Sequence, residues 1–436
     1  MPKTFRPYQP DQRLLLPQDL HEMLPAGDLA YFVRETVEAL DLSAILKEYA
    51  EERGQPPFHP AMMTTLLLYA YARGVRSSRK IAQACERDIG FMVVAALARP
   101  DFRTIAKFRA GHLKALAGLF TQVLRICQRA GLVRLGHIAI DGTKIKANAS
   151  RHKAMSYRRM AEVEPALRAE VERILKEHGA TDLAEDKAHG KGRRGDELPA
   201  HLRSKQRRLA KIQEAKAALE AEARERAEKE GHPGGGGAPA VDPKAQRNFT
   251  DPDAKIMKDS GSGAFVAGYN AQLAVDAGSQ VIVATELTTR ATDVQELPPM
   301  LAQVRRNAGR QARECSADAG YCSEANLADL ARRRIRAYVA VGKDRHGSAP
   351  GQSARAIPAG SRRAAMAARL RRGGWRSRYR LRKCTAEPVI GQIKGARGFR
   401  RFLLRGAEKA SGEWSLACIA HNLLKLFGGQ RTALAS

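Results

Sequence analysis

The chain has 436 residues, and 75 Lys plus Arg against 46 Asp plus Glu leave a formal net charge of +29. A hydrophobic fraction of 44% is ordinary for globular proteins and excludes a chain disordered throughout. No apolar run reaches the ~18 residues of a membrane span; the longest candidate, Ala61 to Ala72, is interrupted by Thr and Tyr. Met1 to Gln18 carries Pro2, Pro7, Pro10 and Pro17 and lacks the apolar core of a secretion signal, so a cytoplasmic protein is expected. The six cysteines form no C-x-x-C pair, which argues against structural zinc, and a reducing compartment favours isolated thiols even for Cys315 and Cys322. A basic excess of this size implies a polyanionic partner, most often nucleic acid.

Helical signals fill residues 20 to 130. Pro60 can open a helix through Met62, Leu66, Leu68 and Tyr71, with Gly74 as its stop. A helix-turn-helix candidate follows: Ser77 or Ser78 capping Arg79 to Arg87, then Asp101 capping a helix through Ile105, Phe108 and Leu113. Arg103, Lys107, Arg109 and Lys114 then point outward, as a DNA-binding face or as the solvated face of a helical bundle.

After Gly131 the period changes to two. His137 to Asp141 reads as a buried strand ending in a carboxylate, followed by a turn at Gly142 and a basic stretch of Lys144 and Lys146. From about Ser150 to Arg247 the chain is charge-laced and helical and ends in Gly234 to Gly237. This is the pattern of an inserted helical hairpin with a loose tip and a solvated charged face. Phe265 to Val275 alternates as a strand, and Gln280 to Thr288 pairs with it across the turn Asp276 to Ser279. Helices over Leu297 to Ala308 and Ser323 to Arg334, and strands over Cys315 to Asp318 and Arg336 to Val341, complete a mixed sheet with helices on it. The resulting division is a helical region over 1–130, a first piece of the α/β core over 131–150, the insertion over 151–247 and the rest of the core over 248–430.

Three acids stand out. Asp141 in Ile-Asp-Gly-Thr and Asp318 in Ala-Asp-Ala-Gly-Tyr each follow an apolar strand and precede a nearby glycine, which places carboxylates at a sheet's edge, where hard divalent cations find oxygen ligands. Glu387 is the only acid between Asp344 and Glu408, inside the most Arg-rich stretch of the chain. Pro388 suits a first helical position, so Glu387 reads either as an acid at a helix N-terminus or as a carboxylate facing a metal. Lys394 lies seven residues on, two turns along the same face.

Asp141, Asp318, and Tyr379, Arg382, Glu387 and Lys394 in the spacing Y-x2-R-x4-E-x6-K together resemble the DDE transposases of bacterial insertion sequences. The common form of the motif has three residues between Arg and Glu. Lys383 holds that spacing here, so Arg382 and Lys383 are both candidates for the phosphate contact. The resemblance also takes in His59 to Leu119, the Asp251-Pro-Asp-Ala-Lys-Ile-Met segment and Ala420-His-Asn-Leu-Leu-Lys, most of the chain.

The resemblance implies an α/β, RNase H-like mixed sheet with flanking helices, preceded by an all-α DNA-binding region and interrupted by the helical insertion. It implies a transposase that cuts the ends of its element and joins them to target DNA. Asp141, Asp318 and Glu387 would hold two Mg2+ ions, for which Mn2+ can substitute, and two ions about 4 Å apart can serve the attacking and leaving oxygens. Tyr379, Arg382, Lys383, Lys394, Lys144, Arg103 and Lys107 are the expected DNA contacts. The partners are double-stranded DNA, as terminal inverted repeats and target, and a second copy in a nucleoid-associated homodimer. The alternatives are a metal-dependent endonuclease of the same fold and a non-catalytic DNA-binding derivative. His137 reads as a core or edge histidine, Asp251 and Asp253 as turn or cap residues, and Asp276 and Asp293 as turn residues. Gly261-Ser-Gly lacks the lysine of a phosphate loop, so no ATP requirement is expected.

Overall fold

A computed structural model of the protein describes residues 19–49, 56–189, 200–229, 241–259, 263–342 and 357–435. The chain divides into two compact units, Met1–Ile126 with Ile419–Ser436, and Cys127–Cys418.

The helices of the N-terminal part are α1 (Leu29–Glu38), α2 (Ser43–Leu46), α3 (Pro60–Ala72), α4 (Ser78–Arg87), α5 (Ile89–Val94), α6 (Phe102–Gly111) and α7 (Leu113–Arg129). Pro60 opens α3, whose residues from Met63 to Ala72 are all buried against α1, α5 and α6. A helix apolar on every side can only be a central one. Gly74, at φ 76°, supplies the left-handed stop.

Two expectations change here. The helix capped by Asp101, which accepts from the amides of Arg103 and Thr104, stops at Gly111, and α5 stands between it and α4, so this is no bare helix-turn-helix. Arg109 does not point outward: it is 5% exposed, and its guanidinium donates to the carbonyl of Arg76 and the hydroxyl of Ser78. The ridge that carries Arg103 and Lys107 is exposed, whereas position 109 falls on the inner face beside Phe108 and Ile105.

The second unit is built on a six-stranded sheet. Its strands are β1 (His137–Lys146), β4 (Lys255–Lys258), β5 (Phe265–Asp276), β6 (Ile282–Thr288), β7 (Glu314–Ala317) and β8 (Arg336–Val339), and a separate ribbon pairs β2 (Ala154–Ser156) with β3 (Gln246–Asn248). The order is β4-β5-β1-β7-β8, with β6 also pairing β5. β1 is central, antiparallel to β5 and parallel to β7, and β7 is parallel to β8. Ile138, Ala139 and Ile140 are therefore buried on both faces, as an unbroken apolar run requires. The crossovers use α10 (Leu297–Ala308) and α11 (Glu324–Arg332), the latter capped by Ser323.

Between β2 and β3 the chain leaves as α8 (Tyr157–His189) and returns as α9 (Ala200–Lys229), packed on Met160, Leu167, Ile212, Ala215 and Leu219. The expected loose tip and Gly234 to Gly237 lie outside the described residues. The chain ends with α12 (Arg362–Gly373), α13 (Leu381–Gly391) and α14 (Ala407–Ala435).

β1 does not turn at Gly142 but runs on to Lys146, paired throughout with β5. The glycine is there for close approach. A Cβ would collide with the side-chain amide of Gln272 and lie 2.9 Å from Asp293 Oδ1 and 3.1 Å from Tyr321 Oη. Pro388 likewise does not open a helix but sits inside α13. The ring removes the hydrogen bond to the Cys384 carbonyl, and Gln280 Nε2 donates to that oxygen instead at 2.9 Å.

Candidate active site

The parallel pairing of β1 with β7 matches Ile140 to Ala317. The next residue in each segment is an aspartate, so the register brings Asp141, midway along β1, beside Asp318, just past the carboxyl end of β7, where the parallel pairing stops and α/β sheets open a crevice. Asp318 also caps a short turn by accepting from Gly320 N at 2.8 Å.

Strand alternation points Asp141 and Thr143 to the face that α13 covers. From α13, Arg382 donates through Nη1 to Asp141 Oδ2 and through Nη2 to Glu387 Oε1, both at 2.8 Å. The guanidinium also lies over the Tyr379 ring, 6.0 Å from its centroid. Lys394 sits in a π-helical segment, Gln392–Ala396, that continues α13. Its Nζ donates to Thr143 Oγ1 at 3.1 Å and to the Lys144 carbonyl at 3.0 Å, so it reaches β1 instead of lying beside Glu387.

Burial pushes the Asp141 carboxyl up to about 6; Arg382 opposes that rise, while Asp318 and Glu387 add to it. Burial also raises Asp318, with Asp293 adding to the effect, and burial lowers Lys394.

The remaining expected residues divide. Lys144 lies on the opposite face of β1 and pairs with Asp293 at 3.3 Å. Lys383 is exposed, as are Arg103 and Lys107 on α6, where Arg79 and Arg103 both lie over Phe102. His137 is a core histidine between Glu314 and Ser316. Asp276 fastens its turn by accepting from Arg134 N, Leu135 N and Gly278 N, and Asp253 accepts from Ala407 N at the start of α14.

Asp293 is the residue that sequence reading missed. Its Oδ1 accepts from Asn270 Nδ2 at 2.7 Å, Gln272 Nε2 at 2.8 Å and Lys144 Nζ at 3.3 Å, and it stands against Gly142 and Gly320, beneath the two aspartates. The signal lay in β5: Asn270 and Gln272, two apart on one face of an otherwise apolar strand, are fully buried and need a polar partner.

Among the described residues no three acids, histidines or cysteines stand at metal-holding spacing, and Arg382 lies between Asp141 and Glu387. The donor chemistry nevertheless fits a divalent cation. Asp141, Asp318 and Glu387 offer only hard oxygens, with the Arg382 guanidinium bridging Asp141 and Glu387, whereas Asp293 pairs with Lys144 on the other face of β1.

The fold is that of an α/β unit with acids gathered at one edge of its sheet, and the comparisons with known proteins give the family. Residues 18–111 match the family described as Transposase domain (DUF772), and residues 240–423 match the family described as Transposase DDE domain. The chain belongs to the DDE transposases of insertion sequences, and its α/β unit is RNase H-like. Enzymes of this family act on DNA and generally use divalent metal ions. Asp318 and Glu387 fall within the matched DDE segment, whereas Asp141 lies outside both matches. No curated protein and no solved structure matches the chain. No helix among the described residues is long and apolar enough to cross a membrane.

Proposed function

We propose that this transposase cleaves DNA at the ends of its own element and joins the freed ends to target DNA, using Asp141, Asp318 and Glu387 as the acids of a two-Mg2+ site that Mn2+ can also occupy. The observation that carries the reading is the strand register that sets Asp141 beside Asp318, with Glu387 linked to Asp141 through one guanidinium. Bound divalent ions supply charge neutralisation at the attacking and leaving oxygens of an in-line displacement at phosphorus.

The chain's own groups do the rest. Asp141 and Glu387 would hold the ions, which would leave the Arg382 guanidinium, now shared between them, as a bidentate donor for a DNA phosphate. Lys394 uses two of its three donors on β1 and keeps one for the backbone, exposed Lys383 and half-buried Tyr379 flank the same path, and Lys144, on the opposite face of β1, keeps two donors beyond its pair with Asp293. Water attacks first and the freed 3′-hydroxyl second, so Tyr379 positions DNA and forms no covalent bond to it. Arg103 and Lys107 on α6 offer an exposed cationic edge to the element's ends. Two copies of the chain act together on paired ends, in the cytoplasm at the nucleoid.

The test is cleavage of duplex DNA carrying the inverted repeats that flank the gene, with Mg2+ and with chelator. Asp141→Ala, Asp318→Ala and Glu387→Ala should each abolish cleavage, and chelation should do the same. Wild-type cleavage by any one variant removes that residue from the triad. Binding without cleavage in any divalent ion makes the protein a DNA-binding derivative, and cleavage without joining makes it an endonuclease.

A further inference from the structure

At the root of the α8–α9 hairpin, where the β2–β3 ribbon meets α9, a groove of about 900 Å3 is lined by Lys153, Arg203, Arg207, Arg208 and Lys211, with His152 beside them and no acid among its lining residues. The ribbon makes this a built surface: Phe249 N donates to the Lys153 carbonyl at 3.0 Å, so the two chain segments that leave and re-enter the sheet are tied together at the groove floor.

The charges of the hairpin are sorted. Those of its acids that form ion pairs do so with other bases: Glu162 with Arg158, Glu164 with Arg168 and Lys216, Glu170 with Lys205, and Glu222 with Arg247 and Lys255. Lys153, Arg207, Arg208 and Lys211 have no acidic partner among the described residues. A solvated helix face normally interleaves both signs, whereas uncompensated like charges around one concavity repel each other until an anion enters.

The spacing identifies that anion. Arg203, Arg207 and Lys211 recur every four residues, so they line one ridge of α9 over about 12 Å at 1.5 Å per residue. DNA carries a phosphate per ~3.4 Å of helix axis on each strand, so a ridge of this length faces a stretch of duplex with several phosphates. A groove of this volume and length exceeds a single phosphate group and suits a backbone.

We infer that this groove binds the phosphate backbone of duplex DNA, giving the helical insertion a sequence-independent clamp on the substrate away from the acids on β1, β7 and α13. The inference rests on the reading of the protein as a DNA-processing transposase.

The experiment uses the full chain and a random-sequence duplex of about 40 base pairs, with affinity measured from about 50 to 200 mM salt. The triple variant Arg207→Gln, Arg208→Gln, Lys211→Gln should bind about tenfold or more weakly, and the slope of log affinity against log salt should shrink by about 3. Far-UV circular dichroism confirms the fold, and the conservative pair Arg207→Lys, Arg208→Lys should keep the wild-type slope. An unchanged slope and affinity in the triple variant, with wild-type binding intact, overturns the groove while leaving the transposase reading standing. Loss confined to single-stranded DNA overturns it equally. A wild-type protein that binds no DNA overturns both.

Discussion

Nη1 of Arg382 stands 2.8 Å from Oδ2 of Asp141, a residue 241 positions earlier in the chain, and both side chains are nearly buried, at 14% and 10% exposure. Burial disfavours an ionised Asp141, and the guanidinium offsets part of that cost, so the arginine is the site's internal counterion. A divalent ion held as proposed by Asp141 and Glu387 would have to displace it from both.

Arg382→Ala should therefore destabilise the metal-free protein by about 3 kcal/mol, the scale for leaving one partner of a buried pair uncompensated. Mg2+ should recover part of this, raising the melting temperature of the variant more than that of the wild type. Arg382→Lys should lie between the two. Thermal unfolding with and without Mg2+ gives the result, and an equal Mg2+ effect on wild type and Arg382→Ala would show that the guanidinium and the ion do not share a place. Lys383→Ala, at an exposed position, should leave both melting temperatures unchanged.

Asp293 supports the catalytic strand from its other face. Removing its carboxylate takes the acid from Lys144 and one of two acceptors from each of the buried amides of Asn270 and Gln272, which keep the Arg290 carbonyl and Asn270 Oδ1. Asp293→Ala should cost about 2–3 kcal/mol of stability, and Asp293→Asn less, because an amide oxygen still accepts from both neighbours. Urea unfolding separates the two. If the Ala variant is as stable as wild type, the network does not hold β1 and β5 together.

Much of this arrangement was readable from local pattern. The strand-insert-hairpin-helix-strand-helix-strand order follows from period-two runs and helix caps such as Ser323, and Asp318 does follow an apolar strand, whereas the strand of Asp141 runs on to Lys146. What escaped is set by distant partners. Gly142 looks like a turn because glycine usually marks one, yet here its missing side chain admits Asp293, Gln272 and Tyr321. Pro388 looks like a helix start until Gln280, about a hundred positions away, satisfies the carbonyl the ring leaves free. Asp293 reads as a turn residue until β5 folds over it. No local signal states which of two neighbouring bases, Arg382 or Lys383, turns inward; the packing of α13 on β1 decides it.

Arg109 tests the same lesson in the N-terminal unit. As a DNA contact its loss would shrink the salt slope, but as a buried bridge between the Arg76 carbonyl and the Ser78 hydroxyl its loss should loosen α4 from α6. Arg109→Met should lower stability by about 2 kcal/mol and leave the salt slope of DNA binding unchanged. A slope reduced by about 1, with wild-type stability, would return Arg109 to the surface.

His137 gives the fold a pH limit. A carboxylate only accepts, so Nδ1 donates to Glu314 Oε2 at 3.2 Å, and Nε2 then accepts from the Ser316 hydroxyl at 3.0 Å, an arrangement that holds for the neutral ring alone. Burial lowers the His137 pKa below 6.5, although Glu314 pulls the other way. The unfolded chain therefore takes up the proton first, and stability is lost as pH falls below about 6.5, with no dependence from this group above it. Glu314, held below its ordinary value because hydrogen bonds from Arg378 and His137 outweigh its burial, adds a second loss below about 4.5. His137→Gln should flatten the upper part of this profile and keep the lower part. Melting temperatures taken across about pH 4 to 8 decide the matter: a variant that still loses stability between about 6.5 and 5 as steeply as wild type would place the sensitive group elsewhere.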